Sequence, residues 1–253
     1  MTTPASDNSL AIARTVGLQP LCEGLWIDQG PQQFLGLQLG STMAVVRLPD
    51  AGLLLWSPLP CTAARRAAVD ALGTVTHLVA PNLMHHLAIG DWATAYPQAK
   101  LHAAPGLPRK RPDLRVDREL GSAVELDFGD ALRERAVDGC RLHETAFYHA
   151  PSGTILLTDL VHNIGRPTHL WTATYARVMG FYDTVALSRM LRWTAFSDRR
   201  AARRSVDAML DWPLQRAVLG HGTPLLGEVA AALRTAWAFL PGEAAALPRG
   251  AAR

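Results

Sequence analysis

The chain has 253 residues, 49% of them apolar and 19% charged, so it can bury a sizeable core and is too apolar for a disordered chain. The formal charge of +3 and pI near 9.0 give no clear nucleic-acid signal: only Lys100 and Lys110 of the 25 basic residues are lysines, and no aromatic or glycine-rich motif accompanies the arginines. Cys22, Cys61 and Cys140 lack paired spacing, which argues against a disulfide framework or zinc ribbon and for buried thiols; the polar start, with no signal peptide or membrane span, gives a cytoplasmic expectation.

In chain order, residues 1–20 read as a flexible segment. Apolar runs at 21–27, 34–39, 43–48 and 53–56 read as a β-meander, with Pro49-Asp50-Ala51-Gly52 as a tight hairpin. A helix over 62–72 follows from apolar positions spaced by three and four. Then come a strand over 75–80, a helix over 86–96, a short strand over 100–104 and a proline- and arginine-rich surface excursion over 105–118. Two or three strands are expected between 124 and 157, with Ala150-Pro151-Ser152-Gly153 as a turn. Helices dominate 170–210. One of them carries Arg199, Arg200, Arg203 and Arg204 behind Ser197 or Asp198 as N-cap, and reads as a solvated face. A strand over 216–219 and a helix over 229–239 close a single domain spanning 21–240; the tail from Pro241 reads as disordered.

Three of the apolar runs end in metal-competent residues. The strand over 75–80 leads into Pro81-Asn82-Leu83-Met84-His85-His86, the run Gly153-Thr154-Ile155-Leu156-Leu157-Thr158 stops at Asp159, and Arg216-Ala217-Val218-Leu219-Gly220 stops at His221. His143, in Arg141-Leu142-His143-Glu144-Thr145, is a fourth candidate. Ligands collect beyond the carboxyl ends of strands, where loops from distant parts of a chain converge. Histidine and aspartate at those ends point to a metal centre.

These segments, in this order, resemble the metallo-β-lactamase superfamily. His143 to Asp159 is similar to its "GH-TPG … SG-LLF-GD" stretch, and Val218-Leu219-Gly220-His221-Gly222 to its "PGHG" motif. A branch carrying "PN-HH" is more similar still, through Pro81 to His86 and the companion stretches Trp92 to Pro97 and Pro105 to Leu114. The resemblance covers roughly 21–240. It implies an α/β (α+β) fold, an αββα sandwich of two facing mixed β-sheets with outer helices, and His143, Asp159 and His221 as metal ligands. The sequence departs from the superfamily's HxHxDH loop. With His86 in the final place, His85 takes the aspartate's place, and Pro81 and Leu83 fall where two histidines belong. One metal site would keep only His143 and the shared Asp159, too few for tight binding. The other would keep His85, His86, Asp159 and His221. The strand that usually ends in a structural aspartate here reads Leu54-Leu55-Trp56-Ser57-Pro58, which leaves the support of the site open.

The resemblance therefore implies one divalent metal ion, zinc or iron, held by His85, His86, Asp159 and His221, with His143 as a further ligand or, if unbound, a proton-transfer group. His143 and Asp159 are assigned to catalysis, and loss of Asp159 is expected to lower bound metal most clearly, since it removes both a charge and a ligand. Adjacent His85 and His86 diverge by about 100° on a helix, so joint ligation needs a loop or a helix start. Asn82 is assigned to substrate or water contact, or to holding a turn after Pro81. His162, three residues after Asp159, is assigned to lining the substrate pocket. His77 reads as a core histidine, His149 as exposed, and His102 and His169 have no supporting motif. The implied function is that of a metal-dependent hydrolase acting on a small or medium-sized substrate. An iron-dependent redox protein and a binding protein that has lost catalysis are the alternatives. Substrate and oligomeric state are not legible in the sequence.

Overall fold

The computed structural model describes residues 17–121 and 128–242. Most of the expected N-terminal segment and tail, and part of the strand region expected from 124, lie outside the described residues. Seven strands form one sheet in the order β1 (Gln19–Cys22), β2 (Leu25–Gly30), β5 (Ser41–Arg47), β6 (Leu53–Trp56), β7 (Val75–Ala80), β8 (Lys100–Ala103) and β9 (Arg118–Glu119). Five form a second: β10 (Leu132–Ala136), β11 (Thr145–His149), β12 (Thr154–Leu157), β13 (Arg216–Leu219) and β14 (Leu225–Leu226). A separate hairpin pairs β3 (Gln33–Phe34) with β4 (Leu37–Gln38).

The period-two side-chain rule explains the layers. In the central strands β5 and β6, Ala44, Val46, Leu54 and Trp56 face the second sheet and meet Phe147, Leu156 and Val218. The alternate residues Met43, Val45, Leu53 and Leu55 face outward, where α1 (Ala63–Asp70), α2 (Ile89–Ala95) and α3 (Leu107–Lys110) contribute Val69, Ile89, Trp92 and Leu107. On the far side, Ile155, Leu157, Ala217 and Leu219 pack under two helices numbered after α4 (Leu170–Met179) and α5 (Arg189–Thr194). These are α6 (Arg199–Leu210) and α7 (Val229–Ala236), which supply Val206, Met209, Leu233 and Ala236. The result is the αββα sandwich expected. Each central strand is apolar on both faces because each face is covered.

Local signals start and fix the helices. Thr62 Oγ1 accepts from Arg65 N–H to cap α1, and Asp198 caps α6 by accepting from Arg200 and Ala201. Arg65 also reaches out of α1 to Asp28 of β2, Nε to Oδ2 2.6 Å.

Three expectations change. The run 34–39 is two short strands, because Leu35 and Gly36 turn back on themselves with φ of 49° and 78°. The helix expected from His86 begins at Ile89, since the preceding residues are held in a turn. The excursion over 105–118 contains α3 and returns to the sheet edge as β9.

Two parallel strand pairs, β6 with β7 and β12 with β13, place their carboxyl ends at the same edge of the sandwich. Thr42 N–H donates to Gly220 O at 3.0 Å and ties the two sheets together there.

Candidate metal centre

That edge carries Ser57 after β6, the loop of Pro81 to His86 after β7, Asp159 after β12 and His221 after β13. His85 Nε2, His221 Nε2 and Asp159 Oδ1 converge, with separations of 3.3 Å between the two imidazoles, 3.6 Å from His85 to Asp159 and 3.4 Å from His221 to Asp159. All three residues are buried. Among the described residues this is the group of three side chains able to share a metal ion.

Each donor is held from behind. His221 Nδ1 lies 2.6 Å from Gly40 O, a carbonyl that can only accept, so the ring proton sits on Nδ1. His85 Nδ1 lies 2.8 Å from Ser57 Oγ, which can accept its N–H in the same way. Asn82 Nδ2 donates to Asp159 Oδ2 at 2.7 Å, leaving Oδ1 for the group of three. Such outer partners fix tautomer and orientation in metal sites. Gly220 gives the room: a Cβ there would sit 2.8 Å from His85 Cε1.

The edges of this triangle test the fit. Tetrahedral zinc with bonds of about 2.0–2.2 Å puts neighbouring ligands about 3.3–3.6 Å apart. An octahedral ion with bonds of the same length puts them only about 3 Å apart. The observed 3.3, 3.4 and 3.6 Å match the first. Two imidazoles and one carboxylate, with one tetrahedral position left over, are a donor set that can hold zinc with room for water or substrate.

The loop that presents His85 is built by Asn82. This side chain is fully buried; its Oδ1 accepts from Met84 N–H (2.8 Å) and His85 N–H (2.7 Å), while its amide also donates to Thr158 Oγ1 (2.9 Å). All its polar atoms are in use, so it holds the turn and Asp159 and has none left for substrate. Glu144, not singled out from the sequence, anchors the next strand end: its carboxylate accepts from Thr158 N–H (2.7 Å) and Asp159 N–H (2.8 Å). Burial and the Asp159 charge push its carboxyl up, while these N–H donors favour the ionised form. Burial would also raise Asp159, but the charge of His85 and hydrogen bonds from His221 and His85 overcome it and hold the carboxyl well below its ordinary value. His221 is the converse: burial would lower it, and Asp159 raises it.

The structure does not bring His86 and His143 into the group of three. His86 Nδ1 faces Arg111 Nη1 at 3.4 Å, and a guanidinium only donates, so the ring proton is on Nε2, which is buried and has no partner. Burial, with Lys110 and Arg111 nearby, lowers this imidazole to about 4. His143 is exposed, at a left-handed φ of 51° in a turn closed by its N–H to Cys140 O. It precedes Glu144, whose side chain is the one that turns into the site. His162 is buried beside His221, ring centroids 5.4 Å apart, with Nδ1 lacking a partner. Burial and then the His221 charge lower it to about 3.

Elsewhere, His77 Nδ1 and His102 Nε2 are 2.8 Å apart in a stacked pair. His149, expected exposed, is 3% exposed and hydrogen-bonds Ser152 Oγ at 2.7 Å, because the turn after β11 folds Ser152 back over it. Ser57 had a sequence signal, its position where a strand meets the site; Glu144 had only its place beside His143.

Two cavities flank the group and meet at Pro31, Gln32 and Ser41: one of about 610 Å³ between the β3–β4 hairpin and residues 164–169, and one of about 240 Å³ against Ser57, His85 and His86.

No protein-family model and no curated protein matches the sequence. Solved structures do match in fold. A metallo-beta-lactamase from Pontibacter korlensis aligns with a TM-score of 0.61 at 12% identity, over 89% of this chain and 99% of the other. A metallo-beta-lactamase from Hirschia baltica gives 0.61 at 12%, over 89% and 97%. The metallo-beta-lactamase FIM-1 from Pseudomonas aeruginosa, in its mono-zinc form, gives 0.58 at 13%, over 90% and 100%. The chain has the metallo-β-lactamase fold.

Proposed function

We propose that the protein is a hydrolase using a single zinc ion held by His85, Asp159 and His221. The observation that carries this reading is the triangle of donor atoms, whose 3.3–3.6 Å edges match tetrahedral zinc and whose back atoms are each hydrogen-bonded. Zinc bound there would supply a Lewis acid and a water acidified to a pKa near ~7. The rest is supplied by the chain. Gly40, Ser57 and Asn82 keep the donors aimed inward; His162, buried between His221 and Phe181, packs behind the His221 ring; the cavities on either side receive the two halves of the substrate. Pro81 and Leu83 offer no ligand for a second ion, which favours one metal.

A second reading has a specific observation behind it: two histidines and one carboxylate also form the facial set of non-haem iron enzymes. The mono-zinc form of the FIM-1 neighbour supports zinc over it. Ester, lactone, thioester, lactam and phosphodiester substrates, assayed with metal-replete protein and with His221→Ala, decide the matter. Turnover of at least one class is expected, lost in the variant. Turnover of none, or turnover unchanged in the variant, rejects the hydrolase reading.

A further inference from the structure

Ten large apolar side chains are exposed among the described residues, and seven of them fall on three neighbouring elements. Phe34 and Leu35 form the tip of the β3–β4 hairpin, Leu170, Trp171 and Val178 follow a stripe along α4, and Met190 and Trp193 stand one turn apart on α5. Contacts join the three into one face. Trp171 Nε1 donates to Leu35 O at 3.4 Å, the Tyr175 hydroxyl donates to Met190 Sδ at 3.6 Å, and Arg189 Nη1 donates to Val178 O at 3.0 Å. Leu35 and Leu170 are 81% and 82% exposed, and Trp193 is 72% exposed. Single apolar residues on a surface are ordinary, but a joined group with two tryptophans marks a surface that something covers.

The charge of the face selects what covers it. Residues 166–200 hold six arginines against two aspartates, with no lysine or glutamate, a larger surplus than the +3 of the whole chain. Asp183 accepts from Arg166 Nε, and Asp198 caps α6. Arg177, Arg189 and Arg199 are exposed and, among the described residues, meet a ring or a carbonyl instead of a carboxylate: Arg177 sits 3.8 Å over the Tyr182 ring, Arg189 reaches Val178 O, and Arg199 Nη2 donates to Arg192 O at 2.7 Å. A second copy of this chain would set these arginines against their own symmetry mates, which like charge opposes. An anionic lipid surface answers both features: tryptophan and leucine side chains sit at the boundary of headgroups and acyl chains, and arginines pair with anionic headgroups. We propose that the face formed by the hairpin tip, α4 and α5 docks on a bilayer containing anionic lipid. No helix among the described residues is long and apolar enough to cross a membrane, and a contact of this kind needs none. The hairpin and residues 164–169 also wall the larger cavity, so docking sets that cavity beside the lipid surface. The proposal does not depend on the hydrolase reading.

Co-sedimentation of the full-length protein with vesicles tests this, with phosphatidylcholine alone and phosphatidylcholine mixed with phosphatidylserine as the two probes. Affinity for the mixed vesicles should exceed that for the neutral ones at least about tenfold, and should fall as salt is raised. Arg177→Glu and Arg189→Glu should each weaken binding about fivefold or more. Leu170→Ser combined with Trp193→Ser should abolish it, whereas Leu226→Ser, at an exposed leucine on β14, should leave it unchanged. The lipid and salt comparisons use the unaltered chain, so they decide the matter even where a variant fails to fold. Equal binding to both kinds of vesicle, binding to neither, or binding to the mixed vesicles that the folded variants retain in full overturns the proposal. A dimer that Trp193→Ser dissociates, in protein that binds no vesicle, would assign the face to a second copy instead.

Discussion

At the residue scale, the site consists of three donors and the atoms behind them. His85, Asp159 and His221 were legible in the sequence because each follows an apolar run that ends abruptly. Their supports were harder to see, since Gly40 acts through a backbone carbonyl and Glu144 through a side chain whose burial depends on tertiary packing. Ser57→Ala removes the acceptor behind His85 Nδ1 without touching a donor, and should weaken metal binding by roughly 10–100-fold in chelator competition. Unchanged affinity would mean the hydroxyl is idle. The same titration has a pH dependence. In the metal-free protein Asp159 raises His221 above its ordinary 6.5 and favours the protonated ring, which cannot bind metal. Apparent affinity should therefore climb as pH rises through that raised value and level off at a higher pH than with an unperturbed histidine; a flat profile from pH 6 to 8 would contradict this assignment.

At the scale of elements, strands and helices are legible where one periodicity runs unbroken and hidden where side chains cut across it. The strands β5, β6, β7, β12 and β13 are apolar runs bounded by turns, and stand within a residue or two of expectation. His85 and His86 look like the start of an amphipathic helix, yet Asn82 accepts two backbone N–H groups and holds them in a turn, which delays α2 to Ile89. The pairing of Arg65 with Asp28 was equally hidden, because it joins α1 to β2 across 37 positions of sequence. Asp28 is 2% exposed and its Oδ1 has no partner, so Arg65→Ala strands a buried carboxylate. The expected loss is about 3–5 kcal/mol in urea unfolding. Replacing both residues by apolar ones of similar volume should recover most of it; a double variant as unstable as the single one would place the damage elsewhere in α1.

At the scale of the whole molecule, the αββα plan was legible because its two halves each alternate strands with a covering helix, and the parallel pairs then bring distant strand ends to one edge. What could not be read was which side chain at each end turns inward, as His143 and Glu144 illustrate. The fold also sets an acid limit. Burial lowers His86 to about 4 and His102 and His162 to about 3, whereas the unfolded chain titrates near 6.5. Below 6.5 the unfolded state takes up protons that these three folded sites refuse, so stability should fall with pH down to about 3–4. The raised His221 and Glu144 act in the opposite sense, and the lowered His77 and His149 add to the loss. Unfolding midpoints of metal-free protein between pH 7 and 4 check this, with His102→Gln expected to shallow the slope; stability constant over that range would contradict it.

The proposed chemistry needs one metal ion on His85, Asp159 and His221. Its most direct test is elemental analysis of protein purified without a metal-affinity tag, beside Asp159→Ala. Close to one equivalent of zinc per chain is expected in the native protein and little in the variant. Two tightly bound equivalents, no metal after growth and dialysis in zinc, or full occupancy in the variant would contradict it.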